Sequence, residues 1–228
     1  MVTIFDKVRI RNICKKHDIK NYIINSDCSI TVNGNVDISD DGLYRIPLNF
    51  KYVSGFFSCR GNNLKSLKGC PESVGSDFHC EFNELPSLEG CPKYVGRSFC
   101  CKSNNIKSFE HLPLSVKKFE CSNNPIYYIW KLFENYSNIE LFNYYDIIQD
   151  DVIILDRLVC FLEEVRKEDY KGLIINTFTN RNKPIRVMKN TRGFIEVNNI
   201  LTETVSIDEF CNRIKIQFAR RGSRSHFE

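Results

Sequence analysis

Residues 57–126 repeat themselves at a fixed step. From Phe57 the chain runs F-S-C-R-G-N-N-L-K-S-L-K-G-C-P-E-S-V, from Phe78 F-H-C-E-F-N-E-L-P-S-L-E-G-C-P-K-Y-V, and from Phe99 F-C-C-K-S-N-N-I-K-S-F-E-H-L-P-L-S-V. A shortened copy, F-E-C-S-N-N-P-I, starts at Phe119, so the steps are 21, 21 and 20 residues. The same register reaches back to Val36, with Ile38, Leu43, Ile46 and Val53 in the matching places. A period near twenty residues is one supersecondary unit copied and stacked. No single copy has enough apolar surface to fold alone, so each covers the next.

The matched positions indicate how the copies stack. Phe57, Phe78, Phe99 and Phe119 stand two residues before Cys59, Cys80, Cys101 and Cys121. That spacing predicts a short strand with both side chains turned inward. Leu64, Leu85, Ile106 and Ile126 make a further apolar column. Asn62, Asn83, Asn104 and Asn124 make a polar one. A polar residue recurring beside a core column must hydrogen-bond something buried, and the reading is an asparagine ladder that holds turn backbone. Gly-Cys-Pro at 69–71 and 90–92 closes the turns, and Val74, Val95 and Val116 lead into the next strand.

The F-x-C-x-x-N-x-L core resembles the second half of the leucine-rich repeat, with the leading apolar residue one place further out at Val53, Val74 and Val95. More closely, residues 20–130 resemble the short tandem-repeat proteins of large tailed bacteriophages, which also open with a segment like Ser29–Ile38. The resemblance implies a leucine-rich-repeat-like β-solenoid and a viral protein made in the cytoplasm of the host cell. Its binding and modulating a host defence or housekeeping protein is the expectation drawn from that context.

The fold expected is α+β, in three parts. Residues 1–35 form a helix and hairpin cap, 36–136 the solenoid, and 137–228 a small α/β unit. Thr3 and Asp6 predict a capped helix over 3–17 with Ile4, Phe5, Val8, Ile13 and Cys14 on its apolar face. Asn33-Gly34 reads as a hairpin turn between strands. Residues 126–133 are aromatic-rich, and 137–148 are less regular. A helix is expected over 151–166. Three strands follow at 173–178, 185–188 and 194–197, then a last helix opened by Ser206-Ile-Asp-Glu209 with Ile207, Phe210, Cys211, Ile214 and Phe218 inward.

The 228 residues carry 32 basic and 28 acidic side chains, a net charge of +4 that demands no nucleic acid. No apolar run approaches the ~20 residues that cross a bilayer. Asp6, Lys7, Arg9 and Arg11 interrupt any signal-peptide core. The expectation is a cytoplasmic chain with no membrane partner. Six of the eleven cysteines fall in repeat columns, and no C-x-x-C occurs. They read as small buried hydrophobes rather than disulfide or zinc ligands.

No P-loop, G-x-S-x-G, H-E-x-x-H or G-x-G-x-x-G is found. The residues between the inward Phe and Cys form an outward row, Ser58, His79, Cys100 and Glu120. There His79 and Cys100 become ladder neighbours, with Glu81 two residues from the histidine. A Cys–His dyad or a metal site is one reading of that pair. The mixed polar surface of a repeat protein is the other, and the expectation is no catalysis, no cofactor and no metal. The whole strand face is the candidate surface for a protein partner. It comprises Phe56, Ser58, Arg60, Asp77, His79, Glu81, Phe82, Ser98, Cys100, Lys102, Lys118 and Glu120, with mixed charge and aromatics that suit protein better than phosphate. The competing feature is a basic patch of Arg213, Lys215, Arg220, Arg221 and Arg224, near Arg181, Lys183 and Arg186. It reads either as cations on a helix C-terminus or as a nucleic-acid surface.

Overall fold

A computed structural model describes residues 3–178, 187–189, 195–197 and 204–222. The chain divides into two compact units, 1–124 and 125–228, so residues 125–136 group with the second.

Unit one opens with α1 (Ile4–Lys16), capped by a reciprocal Thr3–Asp6 box. Its buried residues are Ile10 and Cys14. Ile4, Phe5 and Val8, expected on the apolar face, are exposed, because they lie well off the stripe that Ile10 and Cys14 define. Then come β1 (Tyr22–Ile24) and β2 (Ile30–Val32), an antiparallel pair. Asn33-Gly34 is therefore no hairpin turn. The hairpin closes over residues 25–29, and Asn33-Gly34 is the corner that carries the chain from β2 to β3 (Val36–Asp37) in another sheet.

From there each coil makes two short strands. β4 (Phe50–Val53), β6 (Ser73–Val74) and β8 (Tyr94–Val95) extend a sheet in the order β1-β2-β4-β6-β8. β5 (Phe57–Ser58), β7 (Phe78–His79), β9 (Ser98–Cys100) and β10 (Lys118–Glu120) build a second, in the order β10-β9-β7-β5-β3. Every pairing between coils is parallel and joins matched repeat positions, Phe57 with Phe78, Phe78 with Phe99 and Phe99 with Phe119. The result is a β-solenoid of about four turns in a chain that also has helices, the expected α+β class. Val53, Val74 and Val95, the last two expected only to lead into the strand, lie in strands of their own in the first of these sheets.

The core lies between these walls. Phe57, Phe78 and Phe99 have no exposed surface, and their rings follow one another at 5.7 and 5.1 Å. Burying one such ring stabilises by about 1.5–3 kcal/mol. Cys59, Cys80, Cys101 and Cys121 are buried, and all eleven cysteines are free. The thiols of Cys59, Cys80 and Cys101 donate to carbonyls of the next coil, His79, Cys100 and Glu120, each at 3.5 Å.

The asparagine ladder is present in full. Asn83 accepts from the Leu64 N–H at 3.0 Å and donates to the Cys59 and Cys80 carbonyls at 3.0 and 3.2 Å. Asn62, Asn104 and Asn124 repeat the pattern with Leu43, Leu85 and Ile106. Each amide thus ties two successive coils. At the Gly-Cys-Pro corners the turn runs against the previous coil: a side chain on Gly69, at φ +101°, would meet the Leu48 carbonyl at 2.8 Å.

Unit two contains α2 (Tyr127–Phe133), a 3₁₀ turn at Tyr136–Asn138, α3 (Ile139–Tyr144), β11 (Ile148–Gln149), β12 (Val152–Ile154), α4 (Leu155–Glu164) and α5 (Glu168–Phe178). After these come β13 (Val187–Lys189), β14 (Ile195–Val197), β15 (Thr204–Ser206) and α6 (Ile207–Gly222). Phe133, Phe142 and Phe161 centre its core, each ring 5.3 Å from the other two. Two sequence expectations fail here. The helix expected from Asp151 begins at Leu155, because Val152–Ile154 pairs with β15, some fifty residues downstream. Residues 173–178, expected as a strand, are the second half of α5. Glu168 and Asp169 complement its N-terminus, and Lys171 pairs with Glu163 of α4. The other two expected strands hold in part as the antiparallel pair β13–β14, while residues 185, 186 and 194 lie outside the described residues. The Ser206 hydroxyl accepts from the Glu209 N–H as expected, and Ile207, Phe210, Cys211 and Ile214 are buried. Among the described residues, no helix is long and apolar enough to cross a membrane.

Candidate functional site

The outward row lies on the sheet made by β3, β5, β7, β9 and β10. Ladder pairing places Ser58 beside His79, His79 beside Cys100 and Cys100 beside Glu120, the order the repeat predicts. Exposure departs from expectation at three positions. Ser58 is buried because its hydroxyl meets that of Ser39 at 2.6 Å. Cys100 is buried, with Glu120 Oε2 3.7 Å from its sulfur. Glu81 folds back beneath His79 and leaves 7% of its side chain accessible. Outward along the pleat is thus not the same as solvated, because side chains of the same face, Ser39 on Ser58, Glu120 on Cys100 and His79 on Glu81, lie against these positions.

The remaining members of the face stay accessible in part. Phe56, Asp77, His79, Ser98, Lys102 and Glu120 are half-buried, while Arg60, Phe82 and Lys118 are exposed. Asp77 accepts from Ser76 and from the Ser98 N–H at 2.9 and 3.1 Å, and Arg97 lies 3.6 Å away. Burial works against its charge, but these donors outweigh it and hold the carboxyl below its ordinary range. A shallow groove of about 360 Å³ runs along the face, bordered by Phe56, Arg60, Asp77, His79 and Glu81.

At the His79 and Glu81 end of the groove, one side-chain donor atom each of His79, Glu81 and Cys100 lie within 4.8 Å of one another. His79 Nδ1 is 3.5 Å from Glu81 Oε2, an ion-pair distance too long for a hydrogen bond, and Oε2 is buried with no hydrogen-bond partner. The Glu81 carboxylate raises the His79 pKa against the opposing effect of burial. For Glu81 burial is the largest influence and pushes upward, yet His79 and further donors outweigh it and the carboxyl sits low. Burial pushes the Cys100 thiol up to about 12. Burial thus works against the thiolate form that a Cys–His dyad uses.

A second feature escaped the sequence reading. Asp40, Gly61, Phe82, Ser103 and Asn123 occupy one offset in successive coils, and all are left-handed, with φ of 54, 67, 56, 55 and 57°. Gly, Asn and Asp suit that conformation, whereas a bulky residue there is an outlier. Phe82 is that outlier. It is 47% exposed, and the Arg60 guanidinium lies 5.4 Å from its ring centroid. The signal was legible, since four of the five residues are small or turn-forming and the fifth is aromatic.

Of the basic patch, Arg213 is engaged by its own unit. It pairs with Glu209 at 2.5 Å and lies over the Phe178 ring at 5.0 Å. Lys215 and Arg220 are exposed on α6. The side chain of Arg221, and Arg224, Arg181, Lys183 and Arg186 as a whole, lie outside the described residues. No protein-family model, curated protein or solved structure matches the chain.

Proposed function

We propose that the chain is a non-enzymatic, protein-binding solenoid, a phage protein that binds and modulates a protein of the host cell. Its binding surface is the outer face of the Phe/Cys sheet. The observation that carries the reading is Phe82, an exposed aromatic ring kept in left-handed backbone and braced by Arg60. Strain of this kind costs on the order of 1–3 kcal/mol and collects at functional positions. The stack gains nothing visible from Phe82, because Gly61, Ser103 and Asn123 fill the same offset elsewhere. Aromatic and arginine side chains at the centre of a rigid array are the usual anchors of an interface. The backbone at Phe82 and Arg60 is bonded from coil to coil, the Phe82 N–H to the Lys102 carbonyl and the Asp40 N–H to that of Arg60, and such preorganisation keeps the ordering cost of binding low. The phage assignment rests on the repeat's resemblance alone.

The test uses tagged full-length protein to capture a partner from bacterial lysate, then calorimetry with the purified partner. Phe82→Ala with Arg60→Ala is expected to weaken binding by more than about 2 kcal/mol while the unfolding curve stays intact. The competing patch gives the opposite result: Arg220→Ala with Arg221→Ala and Arg224→Ala abolishes binding, the strand-face pair does not, and affinity falls steeply with salt. That outcome makes the solenoid a scaffold only and overturns the reading.

A further inference from the structure

We propose that His79, Glu81 and Cys100 form a binding site for a divalent transition-metal ion of the zinc class. Three observations carry it. First, an imidazole nitrogen, a carboxylate oxygen and a sulfur, each from a different side chain, converge within 4.8 Å. Zinc takes these donor types at about 2.0–2.3 Å, which places neighbouring ligands roughly 3.3–3.7 Å apart. The donors therefore need to close by about 1 Å, within the reach of side-chain rotation on fixed strands. Second, Glu81 Oε2 is aimed into the cluster, is buried, and has no hydrogen-bond partner. A buried carboxylate oxygen without one is costly, and His79 at 3.5 Å meets that need only in part.

Third, the cluster does not belong to the repeat. The positions matching Glu81 hold Ser39, Arg60, Lys102 and Ser122, and those matching His79 hold Asp37, Ser58, Cys100 and Glu120. Stacking is satisfied in those coils without an acid at the offset, so Glu81 is not there to build the solenoid. A set of sulfur, imidazole and carboxylate suits zinc or cobalt and not magnesium or calcium, which take oxygen. On binding, the Cys100 thiol and any protonated His79 imidazolium release their protons to solvent, Cys100 forms a metal–thiolate bond, His79 ligates as the neutral imidazole, and one position stays open to water. The ion would sit on the proposed interface, but its binding is measured on the chain alone, so this inference and the proposed function fail separately.

The experiment titrates full-length, chelator-treated protein with cobalt(II) alone. The expected result is a thiolate-to-cobalt absorption band that saturates at one equivalent, is displaced by zinc, and is absent in Cys100→Ser. Glu81→Gln is expected to weaken zinc binding by more than the ~10-fold that loss of a supporting hydrogen bond costs at such sites. Zinc should also slow alkylation of Cys100 and leave the exposed Cys160 unchanged, a readout on the unmutated chain if Cys100→Ser does not fold. No thiolate band on folded wild-type protein, a band unchanged in Cys100→Ser, or zinc without effect on Cys100 alkylation each overturns the site.

Discussion

The two sides of the Phe/Cys sheet are made by alternate residues of the same strands, yet they obey different rules. Inward, Phe57, Phe78, Phe99 and Phe119 are identical from coil to coil, as are the cysteines and asparagines that follow them. Outward, Ser58, His79, Cys100 and Glu120 differ at every step. Stacking explains the first side. A ring that lies on its copy at 5.1–5.7 Å, or an amide that ties one coil to the next, needs the same shape in each turn. It places no such demand on the second side. A repeat therefore works as its own control: what recurs holds the stack, and what departs from the pattern is there for something else. Phe82 and Glu81 are the two departures with a physical cost.

The largest effect expected from this contrast is at the centre of the inward side. Phe78 has no exposed surface and touches rings on both neighbouring coils. Phe78→Ala is expected to destabilise unit one by about 3–5 kcal/mol, read as a shift in the urea midpoint. A loss under ~1 kcal/mol would mean that the ring column does not carry the stack, and inward identity would lose its meaning.

Asn83→Ala comes next. It leaves the buried Leu64 N–H without its acceptor and takes one of two amide donors from the Cys59 and Cys80 carbonyls, which keep Asn62 and Asn104, with an expected cost of about 1–3 kcal/mol. Asn83→Asp sharpens the test, since the carboxylate still accepts from Leu64 but cannot donate. If both variants match the parent in stability, water reaches this turn and the ladder is no more than a recurring polar residue.

The sequence made the solenoid legible because every rule it follows is local or repeats at a fixed step. Strand register, the asparagine bonds and the buried cysteine column all follow from matched positions. Three things were not legible. The valine sheet is built from strands such as Ser73–Val74, in which no second recurring apolar residue two places on marks the alternation, as Cys does after Phe. In unit two, Val152–Ile154 has its partner at Thr204–Ser206, and 173–178 is helical because of what packs on it, so β-branched composition misleads there. The burial of Ser58, Glu81 and Cys100 depends on side-chain contacts within the face, with Ser39, His79 and Glu120, a fact of rotamers rather than of register. The His79–Cys100 adjacency was foreseen from the ladder; the inward turn of Glu81 that completes the cluster was not.

The smallest effect on stability separates the two sides most cleanly, because the same change is expected to matter for binding. At the offset of Phe82 the neighbouring coils carry Gly61 and Ser103 in the same left-handed conformation. For a residue with a Cβ this region is disfavoured by about 1 kcal/mol or more, and glycine enters it freely. Phe82→Gly removes that strain. It also removes a ring whose contacts among the described residues include the Arg60 guanidinium at 5.4 Å, an exposed cation–π pair worth about 0.5–1 kcal/mol, and it makes the unfolded chain more flexible. The strain term and these losses nearly cancel, so the expected change in stability, read from the urea midpoint, lies within about 1 kcal/mol of zero, whereas an ordinary Phe→Gly change in a packed position costs several. Partner affinity should fall in the same variant by more than about 2 kcal/mol. A residue that serves the fold loses stability when it is removed, and one that serves binding loses affinity. If Phe82→Gly costs 2 kcal/mol or more of stability, Phe82 belongs with the inward side, and the departure from the repeat marks packing rather than recognition.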